Sequence, residues 1–165
     1  LLQRELGKLG VHAEIVSLDD FYLGPDETPV LPNGEKDYET VDALDIALIQ
    51  DCLNSVIHSG SCLLPEYDFT TKTRTLAARK LDVSDRGFVI MEGLHALNPI
   101  FTRDLPEGST IKLYVSVKQQ IKDINGEVIS PMDIRLVRRI SRDIRSRDTM
   151  PERTIAMWDL SLIHI

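Results

Sequence analysis

The chain has 165 residues, 42% hydrophobic and 27% charged, the proportions of a globular protein that buries one substantial core. Its formal net charge of −7 argues against a general binder of nucleic acid or anionic membrane, and no apolar run approaches the about 20 residues of a spanning helix. Cys52 and Cys62 are the only cysteines and read as small buried residues rather than a disulfide or metal pair, which fits a reducing, cytoplasmic setting.

Leu2, Leu6 and Leu9 have helical spacing, and Gly10 is a stop signal, so the opening reads as the end of a helix. Val11 to Leu18 reads as a strand that runs into Asp19-Asp20-Phe21-Tyr22, which places two acids at its carboxyl end. Residues 24–37, rich in proline, glycine and acids, form a loop. From Asp42 to His58 the apolar positions Leu44, Ala47, Leu48, Cys52, Leu53, Val56 and Ile57 predict an amphipathic helix closed by Gly60. A proline-containing stretch then leads to Tyr67-Asp68-Phe69 and the polar run Thr70 to Thr75. Phe88-Val89-Ile90-Met91, ending in Glu92-Gly93, has the pattern of a buried parallel strand, and Ile111 to Val117 predicts another. Asp133 to Arg147 is a helix, and Pro151 opens one more towards Trp158.

Strands separated by helical stretches indicate an α/β fold with a mainly parallel sheet. In such sheets ligands collect at the carboxyl ends of the strands, where Asp19 and Glu92 both fall. The last six residues, Leu160 to Ile165, change character abruptly and match an in-frame translation of a common sequencing-adaptor end. Residues 159–165 are therefore set apart as a non-native tail, the other reading being a short C-terminal strand, and residues 1–158 are treated as one partial domain.

A buried strand that ends in an acid, as at Glu92, suits a carboxylate holding Mg²⁺ beside nucleotide phosphates; it equally suits an acid that caps the next turn. Asp19 or Asp20 can orient an alcohol and accept its proton during phosphoryl transfer, or act as a turn acid. Adjacent residues of an extended chain point opposite ways, so one of the two faces the site. Arg135, Arg138, Arg139 and Arg142 lie at helical offsets of three, four and seven, a concentration of like charge that calls for an anion. Guanidinium groups bind phosphate oxygens in pairs, so polyphosphate is the natural ligand; a solvated or nucleic-acid-facing helix is the alternative. Residues 67–74 set aromatic faces beside cationic donors, suited either to a planar ring and a sugar or to a ring-anchored surface loop.

In order, these pieces resemble the uridine kinase/phosphoribulokinase family. Ser17-Leu18-Asp19-Asp20-Phe21-Tyr22 is similar to its S-x-D-x-F-Y segment, and Tyr38 to Asp45 to its F-D-x-P-x-A-F-D stretch. Tyr67-Asp68-Phe69 with Arg74 resembles Y-D-F-x-x-H-x-R, and Glu92-Gly93 resembles the family's E-G. Arg138-Arg139-Ile140-Ser141-Arg142-Asp143 followed by Arg147 resembles a lid motif, R-R-x-x-R-D-x-x-x-R. The wording around Glu92 and the run from Pro151 to Trp158 look nearest to a bacterial branch of uridine kinase-like proteins.

The resemblance implies a P-loop α/β fold, ATP and Mg²⁺, and transfer of the γ-phosphate to the 5′-hydroxyl of a pyrimidine nucleoside. It implies Asp19 as catalytic base, Tyr22 as a substrate contact and Glu39 near the sugar. Tyr67, Phe69, Lys72 and Arg74 would line the acceptor site, and Glu92 would serve the metal. Arg139, Arg142 and Arg147 would act on the transferring phosphate, with Arg138 and Arg142 holding the nucleotide. The partners expected are ATP and a nucleoside-like acceptor, without membrane or nucleic acid, and a homo-oligomer is left open.

Lys72 stands where the family has a base-recognising histidine, Glu39 replaces an aspartate, and Thr149 replaces a second arginine after the lid motif, with Arg145 a substitute. No G-x-x-x-x-G-K-[ST] occurs in the chain, so a strand and phosphate loop are expected to precede Leu1, and the 165 residues alone are expected to be inactive. Two other readings compete. One is a kinase of a different small alcohol, such as a phosphorylated sugar or a pantothenate-like compound; the other is a non-catalytic regulator that binds nucleotide or RNA through the arginine helix.

Overall fold

The computed structural model describes residues 1–83, 86–115, 121–147 and 149–158, so the tail set apart at 159–165 lies outside the described residues. The chain divides into two compact units, Leu1–Leu113 and Tyr114–Ile165.

In the first unit, helix α1 (Leu2–Lys8) leads to strand β1 (Ala13–Ser17), which pairs in parallel with β4 (Phe88–Glu92). The register runs from Ala13 opposite Phe88 to Ser17 opposite Glu92, so both strands end level with one another. A 3₁₀ turn, Leu18–Phe21, follows β1 and buries Leu18 and Phe21. These two join Val16, Leu44, Ile49, Cys52, Leu64, Leu81 and Phe101 in one core. The expected loop over residues 24–37 carries only an isolated bridge between Val30 and Lys36.

Helix α2 (Ile46–Ser59) begins later than its apolar pattern predicts. Asp45 accepts the Leu48 N–H at 3.0 Å and so caps the helix, while Leu44 before it is extended and bridged to Tyr22. Thr40 caps a separate 3₁₀ turn, Val41–Ala43. At the far end Gly60 adopts φ +71° and closes α2 as expected. Cys52 and Cys62 are free thiols; burial and the neighbouring Cys62 push the Cys52 thiol up to about 12.

The antiparallel hairpin of β2 (Ser61–Asp68) and β3 (Thr73–Asp82) is not among the elements the sequence pattern predicts. Its strands carry no clean alternation: Pro65 interrupts β2, and β3 is polar and exposed apart from Arg74 and Leu81. Leu64 pairs with Arg79 and Glu66 with Thr75, so Pro65 faces a bulge of Leu76, Ala77 and Ala78 in which Ala77 takes φ +53°. The strand expected over Ile111–Val117 does not form in its described part. Residues 111–115 are exposed, Ile111 at 87%, and no described strand hydrogen-bonds to them, without which apolar alternation makes no sheet. Residues 116 and 117 lie outside the described residues.

The second unit holds α3 (Pro131–Ser146) and α4 (Pro151–Ala156), close to expectation. Ser130 accepts the Met132 N–H at 3.2 Å and Pro131 opens the first turn. Among the described residues no helix is long and apolar enough to cross a membrane.

Candidate active site

The level ends of β1 and β4 place Ser17 beside Glu92, and the serine hydroxyl donates to Glu92 Oε1 at 2.6 Å. The chain leaves β4 through Gly93, at φ +149°, pressed against Leu18; a Cβ at this glycine would lie 2.8 Å from the Leu18 Cβ. This close approach brings the exit from Glu92 against the residue that precedes Asp19. Among the described residues no cluster of three or more His, Cys, Asp or Glu could cage a metal. Mg²⁺ commonly takes one or two carboxylates and fills its remaining positions with water and phosphate oxygens. The exposed Glu92 carboxylate, oriented by Ser17, fits that mode of binding.

Asp19 and Asp20 lie in a 3₁₀ turn and not on extended chain, so their side chains diverge by about 120° instead of pointing opposite ways. Asp20 faces the hairpin. Burial raises its carboxyl above the usual range; the Arg79 guanidinium opposes the rise, Glu66 and Asp19 add to it, and the Tyr67 N–H donates to the group. Asp20 is therefore a packing acid, which leaves Asp19 as the acid to consider for chemistry.

Beyond the turn, rings gather. Tyr22 lies 5.6 Å from Tyr67, 5.8 Å from Phe69 and 6.2 Å from Tyr38, centroid to centroid, and Tyr67 lies 5.0 Å from Phe69. These are tilted and edge-to-face contacts, the favoured aromatic geometries. The Tyr22 hydroxyl donates to the Tyr38 carbonyl at 3.1 Å. The Tyr67 hydroxyl is buried, and no described residue hydrogen-bonds to it. Burial, reinforced by Tyr38, raises its pKa. The hairpin tip is shaped by Asp68, whose Oδ1 accepts the N–H groups of Thr70 and Thr71 at 2.7 and 3.3 Å.

The expected acceptor residues thus part company. Tyr22, Tyr67 and Phe69 meet in one platform, and the Lys72 ammonium lies 6.0 Å from the Tyr38 centroid, at the outer reach of a cation–π contact. Arg74 instead donates to Asp45 Oδ2 at 2.7 Å, tying the hairpin to the cap of α2. Glu39 is buried, and its carbonyl accepts from His95 Nε2 at 2.8 Å, so that nitrogen carries the proton. Tyr38, Asp45 and His95 join the site without being among the residues expected from the sequence. Tyr38 had a signal in its place beside Glu39, whereas the partners of Asp45 and His95 are distant in sequence.

In the second unit, Asp143 on α3 is 4% exposed and accepts the Thr154 hydroxyl of α4 at 3.1 Å. Arg139 Nε lies 3.5 Å from Asp143 Oδ2, and Arg142 Nε and Arg147 Nη1 lie 3.6 and 3.7 Å from Oδ1. The Asp143 carbonyl accepts the N–H groups of Arg147 and Thr149 at 3.0 and 3.2 Å, which ends the helix. Arg138 is exposed and shares an open groove with Val137, Ser141, Arg142, Arg145 and Ser146. The four arginines expected at phosphate are therefore of two kinds. Arg139 and Arg147 are drawn in towards Asp143, Arg138 points to the groove, and Arg142 serves both.

Parallel strands that end level with one another at Ser17 and Glu92, with helices before and after them in the chain, make this an α/β protein. The chain belongs to the phosphoribulokinase/uridine kinase family, whose model matches residues 7–161. It is 30% identical over 133 residues to the uridine kinase of Lactobacillus helveticus, an alignment covering 81% of this chain and 54% of that protein. It is 26% identical over 149 residues to the uridine kinase of Deinococcus deserti, covering 90% and 63%. A solved structure described as a possible uridine kinase from Bacillus stearothermophilus superposes with a TM-score of 0.48 at 20% identity, covering 61% of this chain and 56% of that one. The chain thus spans about half the length of the first of these relatives.

Proposed function

We propose that this sequence serves ATP-dependent phosphoryl transfer to the 5′-hydroxyl of a pyrimidine nucleoside-like acceptor. The observation that carries the reading is the aromatic platform of Tyr22, Tyr38, Tyr67 and Phe69, with a buried tyrosine hydroxyl that no described residue engages. A planar base stacked on those rings would offer that hydroxyl a partner, which removes the cost of leaving it buried and unpaired.

ATP supplies the transferred phosphoryl group and Mg²⁺ spreads its charge. Asp19, in the turn that follows β1, accepts the proton of the acceptor hydroxyl as that oxygen gains its bond to phosphorus. Ser17 holds the Glu92 carboxylate in the orientation that serves the metal. Glu39, fixed through its backbone by His95, stands towards the sugar, and Phe69 and Tyr22 hold the base. Arg138, Arg139, Arg142 and Arg147 supply positive charge to phosphate oxygens.

A second reading rests on Lys72, whose ammonium sits at the edge of the platform by Tyr38. A fixed cation there favours an acceptor that carries its own anionic group, such as a phosphorylated sugar or a pantothenate-like alcohol.

The 165 residues contain no G-x-x-x-x-G-K-[ST], and by themselves they are expected not to turn over ATP. The test uses ligand-detected NMR on the purified chain with uridine, cytidine, ribose 5-phosphate and pantothenate, alongside a coupled ATP assay. Saturation transfer to the uridine base protons, lost in Tyr67→Phe, supports the nucleoside reading. Transfer to the anionic alcohols alone favours the second, and turnover of ATP by the chain overturns the expectation of inactivity.

A further inference from the structure

The arginine-rich helix carries its own counter-ion. Asp143 is a buried carboxylate whose two oxygens have different surroundings. Oδ2 accepts the Thr154 hydroxyl at 3.1 Å and lies 3.5 Å from Arg139, whose side chain is 16% exposed. Oδ1 accepts no hydrogen bond from any described residue, yet two guanidinium groups stand near it. Arg142 is at 3.6 Å with its side chain 56% exposed, and Arg147 is at 3.7 Å with 24% exposed. These separations exceed the about 2.7–3.2 Å of an N–H···O hydrogen bond. Neither contact with Oδ1 is therefore one of the paired short bonds that lock guanidinium to carboxylate; each is an attraction between charges across a wider gap. Arg142 also lines the groove with Arg138 and Arg145, so one side chain is shared between an internal anion and an open cationic surface.

We propose that Asp143 is the resident counter-anion of this cluster. Its Oδ2 side fastens α3 to α4 through Thr154 and also faces Arg139, one turn earlier on α3. Its Oδ1 side holds Arg142 and Arg147 in the position that an incoming polyphosphate then takes over. Asp143 is thus a positioning residue, keeping several like charges together until a phosphate chain supplies stronger compensation. The inference rests on the proposed kinase reading only for the natural source of that phosphate chain, since the chemistry requires a polyphosphate and no nucleoside.

The experiment is a thermal melt of the 165-residue chain, with and without inorganic tripolyphosphate, for the parent and for Asp143→Asn, Thr154→Val and Arg142→Gln. Trp158, the one tryptophan, follows α4 and reports on this unit. A ligand that binds the folded form stabilises it in proportion to the logarithm of its concentration over Kd. Asp143→Asn is expected to melt lower without ligand but to bind tripolyphosphate about tenfold tighter or more, because the ligand no longer competes with a fixed negative charge. Its melting temperature should therefore rise more than the parent's. Thr154→Val should melt lower without any gain in response, and Arg142→Gln should lose most of the parent's response. If Asp143→Asn is unfolded in buffer, its helical circular dichroism should return as tripolyphosphate is added. A response in Asp143→Asn no greater than in the parent, or no return of helix where it starts unfolded, overturns the proposal. Neither readout depends on nucleoside binding or turnover, so its failure is separable from failure of the nucleoside reading.

Discussion

Replacing Gly93 by alanine adds a single carbon at the point where β4 turns away from Glu92. That carbon would sit 2.8 Å from the Leu18 Cβ and 3.2 Å from its Cγ and Cδ1, against about 3.5–4.0 Å for carbon atoms in comfortable contact. Leu18 is 2% exposed and packed within the core, so it has little room to retreat. Overpacking of this kind costs about 1–3 kcal/mol. A side chain at φ +149°, a sparsely populated region for residues with a Cβ, adds about 1–2 kcal/mol of backbone strain. The sum, about 2–5 kcal/mol, is a large share of the about 5–15 kcal/mol that holds a domain of this size together. Urea unfolding of the chain followed by circular dichroism should show an early midpoint for Gly93→Ala. Adding Leu18→Ala in the same molecule removes the colliding atoms beyond Cβ, so the two changes together should cost less than their separate costs added. A Gly93→Ala chain within about 0.5 kcal/mol of the parent would refute the claim that this close approach seats the strand ends.

Three further outcomes follow from particular side chains. Ala77→Gly should raise stability by about 1 kcal/mol in the same urea assay, because Ala77 occupies φ +53° in the hairpin bulge; a loss would mean its methyl packs usefully. Asp20 has a folded-state pKa above its unfolded value, so its ionisation opposes folding, and the penalty grows as pH rises from about 4 through the folded pKa. Asp20→Asn should therefore melt at least as high as the parent at pH 7 and show a flatter profile between pH 4 and 7; a clearly lower melt at pH 7 would show that attraction to Arg79 outweighs burial. Tyr67→Phe removes a buried hydroxyl that no described residue engages, and should leave stability unchanged or raise it by up to about 1 kcal/mol in thermal melts. A loss of more than about 1 kcal/mol would mean the hydroxyl is satisfied within the folded chain.

Much of the local structure was legible because its causes lie within a few residues of one another. The apolar runs before Asp19 and at Phe88 specify β1 and β4, and their parallel pairing puts Glu92 level with Ser17. Gly60 ends α2 and Pro151 opens α4, each through backbone geometry that its own residue type favours. The arginine pattern of α3 was equally plain, since helical spacing needs no distant partner.

Tertiary structure decided what depends on residues far apart in the chain. The β2–β3 hairpin forms from an interrupted strand and a polar one because each supplies the other's backbone hydrogen bonds, while residues 111–115, with a better apolar pattern, have no described strand to pair with. Asp20 became the packing acid only when the hairpin arrived beside it, and Arg74 turned to Asp45 because the hairpin meets the start of α2. Likewise, Asp143 divided the arginines because α4 brought Thr154 to one of its oxygens. Spacing along the sequence sets which face of an element a side chain occupies; the charge or ring it meets there is set by chain that folds back from elsewhere.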